Sequence, residues 1–226
     1  MVRFTRAIAL TVMALSLAAV AGAQFPGGGM GPRAPHLLGE FNPVVGSGAQ
    51  YQTTTQGRSM SFAYVVVGKE DVEGSTGYWM EIRSGSPELG GEMVMKQLLV
   101  QSAGAAQIKR MIMQSPGRPP IEMPMGMMMG RGPGGQARGA GGAGDTSPGE
   151  KVGTETITVP AGTFECDHYR KKGPRGDVDV WVSSKVPPYS MVKMASGEMV
   201  MELQKVLSNE TSHIKGEPQK MEMPRF

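Results

Sequence analysis

The chain has 226 residues, a formal net charge of +3 and 39% hydrophobic residues, with 33 glycines, 17 prolines, 20 methionines and one cysteine. The lone Cys166 excludes an intramolecular disulfide, so the fold must rest on its core rather than on staples. The basicity belongs largely to the first residues: without Arg3 and Arg6 the 23 basic side chains become 21 against 20 acidic ones, or +1, and no nucleic-acid partner follows.

Residues 1–23 predict a secretory signal peptide: a basic start, the apolar run "AIALTVMALSLAAV", and "AGA" as a cleavage signal ending at Ala23. The apolar run is shorter than the ~20 residues that span a bilayer. No cysteine follows the cleavage point to carry a lipid. The mature chain is therefore expected in the periplasm or outside the cell, with no membrane span. Residues 24–40 ("QFPGGGMGPRAPHLLG" and Glu40) read as a flexible Gly/Pro leader.

From about Phe41 to Leu207 the texture predicts one β domain. "SMSFAYVVVGKE", "GSTGYWMEIRSG", "GEMVMKQLLVQ" and "AAQIKRMIMQ" are β-branched, aromatic or alternating, and each is bounded by turn residues. After a glycine tract the alternation resumes in "GTETITV", "TFECDHYRKK", "DVDVWVSS", "SMVKMAS" and "GEMVMELQKV". Eight or nine strands result, with no amphipathic helix longer than two turns. Residues at about 126–149 read as a disordered Gly/Met-rich insertion, and residues 208–226 as a loose polar tail. β texture on both sides of the insertion favours a single domain, because two separate ones would each be marginal without disulfides.

The methionines recur two apart: Met93/Met95, Met111/Met113, Met199/Met201 and Met221/Met223. That step puts both side chains on one face of a strand. Core packing is the leading explanation for the strand pairs, since Met fills irregular gaps. An apolar-ligand or lipid site lined by Met93, Met95, Met199 and Met201, with Trp181 beside it, is the second. The third is copper(I), which favours thioether sulfur. For copper the candidates are Met123, Met125, Met127, Met128 and Met129, together with Cys166 and His168. The run Met123–Met129 reads first as a hinge, because ordering a flexible loop around an ion costs entropy. Phe164, Cys166 and His168 share one face of their strand, where a buried, inert cysteine is the leading reading. By alternation Trp181 falls opposite Val178, Val180 and Val182 and is expected to be less buried than its valine neighbours.

Nucleophile elbows, H-E-x-x-H, phosphate loops and C-x-x-C are absent, so no enzyme and no cofactor are expected. The second half, "GTETITVPAGTFECDHYR" followed by "DVDVWVSSKVPPYSMVKM", resembles exported bacterial proteins classed as domains of unknown function. Those families are allied to the LolA/LolB-like carriers. The resemblance covers residues 151–206 clearly and 41–125 more loosely. It implies a curved antiparallel sheet, a half-open barrel around an apolar groove. A non-catalytic envelope protein that binds an apolar ligand or an envelope partner in its concave face is the leading functional expectation. Copper(I) binding and a purely structural or interaction module are the alternatives.

Overall fold

The computed structural model describes residues 41–86, 90–102, 105–124, 149–173 and 176–221. The expected signal peptide, the leader, the insertion up to Pro148 and Met125–Met129 fall outside these residues. Strands form wherever the alternation predicts them: β2 (Arg58–Val72), β3 (Ser75–Ser86), β4 (Gly91–Ser102), β5 (Ala105–Gln114), β7 (Glu150–Val159), β8 (Gly162–Gly173), β9 (Gly176–Val182), β10 (Met191–Ser196) and β11 (Met199–Leu207). The sequence reading missed three more. They are β1 (Gly48–Thr55), β6 (Ile121–Met123) and the two-residue β12 (Gln219–Lys220). No helix occurs among the described residues, and none there is long and apolar enough to cross a membrane.

All twelve strands lie in one open, curved sheet in the order β12-β6-β5-β4-β3-β2-β1-β11-β10-β9-β8-β7. Two antiparallel meanders, β1–β6 and β7–β11, meet at the pairing of β1 with β11, from Gly48↔Leu207 to Thr55↔Met199. The one parallel pair, β12 with β6, makes the sheet mixed. Two hairpins turn through Gln56-Gly57 (φ 49° and 76°) and Glu73-Gly74 (φ 55° and 80°). Positive φ at both central positions is the two-residue turn whose twist matches that of the flanking strands. At Gly48 an added Cβ would meet the Tyr64 carbonyl oxygen, so glycine lets β1 approach β2 closely there.

Register assigns the faces. On one face Tyr51, Phe62, Tyr64, Ile82, Met95 and Met113 lie across β1–β5, and Leu203, Met201, Met194 and Val180 continue it through β11–β9. This face carries the main core, where the rings of Phe41, Tyr51, Phe62, Tyr64 and Tyr189 pack edge-on, tilted or stacked at 5.3–6.1 Å. Such pairs add to the area term because ring edges meet ring faces.

The opposite face is covered differently in the two meanders. Over β2–β5 it is crossed by residues 208–215. Arg83 and Glu81, two apart on β3, are buried there at 5% and 0% exposure. Glu81 accepts from Arg83 Nε (3.1 Å), the Ser212 hydroxyl and the His213 amide (3.0 Å). Arg83 also donates to Glu210 (2.6 Å) and to the Thr211 carbonyl (2.6 Å). Ile214 packs on Trp79, Leu98 and Ile112. The expectation of a loose tail is thus corrected over residues 208–221. Glu210, the Thr211 carbonyl, the Ser212 hydroxyl and the His213 amide complete a buried ion pair while most of the segment's other polar side chains stay exposed, and β12 then extends the sheet past β6.

In the second meander the β7–β8 hairpin curls back, and the Ala161 amide donates to the Leu203 carbonyl at 3.3 Å. Val159, Cys166 and Phe164 join the core from that side.

Candidate functional site

The methionines gather on four neighbouring strands of the main-core face. One row across the sheet reads Met80 (β3), Gln97 (β4), Met111 (β5), Met123 (β6). The next reads Ile82, Met95, Met113, Ile121, and Met93 follows opposite Ser84. Directly paired side chains across a sheet sit about 4.5–5.5 Å apart at Cβ, so these thioethers are neighbours. Met80, Met95 and Met111 are buried, whereas Met113, Met123 and Ile121 are half-buried, so cover thins toward β6.

Hydrogen bonds hold two of the sulfurs. The Tyr189 hydroxyl donates to Met80 Sδ at 3.2 Å, and Gln97 Nε2 donates to Met95 Sδ at 3.1 Å. Burial raises the Tyr189 and Tyr64 phenols well above their ordinary value, so the lining carries no phenolate. Gln97 itself is 4% exposed, and no donor among the described residues reaches its Oε1.

Of the expected apolar-site residues, Met93, Met95, Met199 and Met201 share this face. Met93 and Met95 sit in the first meander, and Met199 and Met201 across the seam on β11. Trp181 does not join them. It pairs with His168 on one side and Lys193 on the other, on the opposite face from Val180 and Met194. The expected difference in burial holds against Val180, which is buried where Trp181 is half-buried; Val182 is half-buried too. A Met-and-Trp lining is therefore not what the fold assembles.

Around Trp181 a polar cluster forms instead. The His168 ring stacks on it at 4.6 Å, and its indole N–H donates to Glu155 at 2.7 Å. His168 Nδ1 faces Glu155 (2.9 Å) and Nε2 faces Asp179 (2.7 Å), which also accepts from Arg170 (2.8 Å). Burial pushes the Asp179 carboxyl up, but the bonds from Arg170 and His168 outweigh it and leave it below its ordinary value. Both imidazole nitrogens are thus engaged by carboxylates. Cys166, next along the face, is 1% exposed, and burial followed by Glu155 and Asp167 pushes its thiol up to about 11. A protonated, enclosed sulfur is neither a nucleophile nor a ready metal ligand. Among the described residues no group of three or more His, Cys, Asp or Glu side chains is placed to hold a metal ion. Of the copper candidates in "MPMGMMM", only Met123 is described.

At the β6 edge a cleft of about 230 Å³ is lined by Lys109, Arg110, Glu122, Met123, Pro124, Lys220 and Met221. Arg110 reaches Glu122 at 2.7 Å, and that bond holds the Glu122 carboxyl below its ordinary range.

No protein-family profile matches the chain, and no curated protein matches it either. Similar solved structures include the following two. An exported-protein candidate with a YmcC-like fold from Bacteroides fragilis is 14% identical, with a TM-score of 0.36, covering 75% of this chain and 99% of its own. A lipoprotein candidate from Parabacteroides distasonis is 11% identical, with a TM-score of 0.35, covering 74% and 97% respectively.

Proposed function

We propose that the protein is an exported, non-catalytic binding protein that takes an apolar ligand on the methionine-lined face of β3–β6. The observation that carries this reading is the run of thioethers across neighbouring strands, from Met80 and Met95 in the interior to Met113 and Met123 near the edge. Flexible, polarizable side chains re-pack around guests of different shape, and apolar sites of this kind keep only one or two polar groups. The "AGA" cleavage signal supports the exported setting.

A second reading rests on the same sulfurs. Thioethers are soft ligands suited to copper(I), and the described cluster runs straight into Met123 and the methionines that follow it in sequence.

Native mass spectrometry of the protein purified from the extracytoplasmic fraction tests both, together with titration of the apolar fluorophore N-phenyl-1-naphthylamine. An organic adduct and saturable fluorophore binding, both weakened in a Met95→Ser/Met111→Ser double variant that still unfolds cooperatively, are the expected results. A bare protein that leaves the fluorophore dark would overturn the apolar reading. A mass increment of one copper ion would favour the second.

A further inference from the structure

Gln97 is out of place in its row. Met93, Met95 and Leu99 flank it along β4, and Met80 and Met111 flank it across the sheet. An amide has two donors and two acceptor lone pairs, yet here one N–H meets a sulfur and the carbonyl oxygen meets no donor among the described residues. The orientation of the amide follows from chemistry, because a thioether accepts and does not donate. Flipping the group would set its oxygen against the Met95 sulfur and gain no donor for it. A methionine or leucine would fill the position without an orphaned acceptor, and buried polar groups left unpaired are rare in folded proteins.

We infer that Gln97 Oε1 is the polar handle of the methionine-lined site, and that its ligand presents a hydrogen-bond donor, a hydroxyl or amide N–H, at the end of an apolar chain. This rests on the apolar-ligand reading above and adds the identity of the head group. A donor head satisfies the free carbonyl, whereas an ether oxygen or an ionised carboxylate brings only lone pairs toward it. Burial falls from Met111 to Met123, so the inferred route for the chain runs in from the β6 side. The handle sits at the buried end of that route.

The test compares 1-dodecanol with dodecyl methyl ether as competitors of N-phenyl-1-naphthylamine, on the wild type and on Gln97→Met. The two ligands differ in whether the oxygen carries a proton or a methyl group. The wild type should prefer the alcohol by about tenfold, the worth of one net hydrogen bond. Gln97→Met should lose the preference and unfold at a higher temperature; the alcohol-to-ether ratio is taken within each protein, because the fluorophore's own amine N–H can also donate to Oε1. The same alcohol-to-ether ratio in both proteins, with the fluorophore bound, would overturn the role of Gln97 and leave the apolar site standing. Failure of both proteins to bind the fluorophore would remove the site, and the handle with it.

Discussion

The two meanders bury their second faces by different means. On β3 the Glu81–Arg83 pair and Trp79 lie under a separate piece of chain, residues 208–215, which supplies Glu210, Ser212, the His213 amide and Ile214. On β8 and β9 the corresponding cluster of His168, Asp179 and Trp181 has only the curl of the β7–β8 hairpin beside it, and Glu155 stays 48% exposed. Both tryptophans are flanked by cations, Trp79 by Lys96 and Arg110 at 5.1 and 5.2 Å and Trp181 by Lys193 at 5.9 Å. Similar chemistry therefore sits in a sealed setting and a wet one. A charge pair under a strap is a structural commitment, because losing one partner strands the other away from water. In the wet setting, solvent replaces what is lost at Glu155, although His168 itself is 8% exposed.

The largest test of that contrast is Arg83→Met. It leaves Glu81 at 0% exposure without its cation, and should cost about 3–5 kcal/mol in denaturant unfolding. A cost below about 1 kcal/mol would mean that water reaches Glu81 and that the strap does not seal. In the second meander, Glu155→Gln removes one of the carboxylates beside His168 and should cost less than about 1 kcal/mol, as half-exposed ion pairs do. A loss matching that of Arg83→Met would show the hairpin closing its side as completely as the strap.

The smallest effect is in the acid limb. Asp179 titrates below its ordinary 3.8, so its stabilisation is fully present above that value and fades as pH falls through the lower folded one. Arg170, one of its two partners, is 49% exposed, so solvent screens that share of the contribution. Urea midpoints between about pH 3 and pH 5 should fall less steeply for Asp179→Asn than for the wild type. Parallel slopes would remove Asp179 from the acid response.

Much of the sheet was legible because its strands alternate. Val178, Val180 and Val182 announce one face of β9, and Met199, Met201 and Leu203 one face of β11. β1 was not legible, because "GAQYQTTT" shows a single large apolar residue among glutamine and threonines. Its place at the seam comes from partners distant in sequence, Leu203 and Phe62 on either side of Tyr51. The tail misled for a related reason. A polar segment reads as solvated unless the buried charges it serves are known, and Glu81 and Arg83 look like an ordinary outer face. The step of two that places both beside Trp79 was the available clue. For the candidate site, the pairing of Met93 with Met95 was legible, and the same step carries on to Gln97 and Leu99. What the sequence could not show was which strands bring Met80 and Met111 alongside, since that depends on register.

The order of strands separates two kinds of continuity. The covalent chain passes from β6, near one border of the sheet, to β7 at the other border, through residues 124–149. The hydrogen-bonded ladder passes from one meander to the other at β1 and β11, several strands away from both β6 and β7. The register of each ladder is therefore set by pairings that do not include the connecting stretch. The architecture behaves as two zipped ribbons joined at one seam, where a change of step between Gln50 and Tyr51 is absorbed locally.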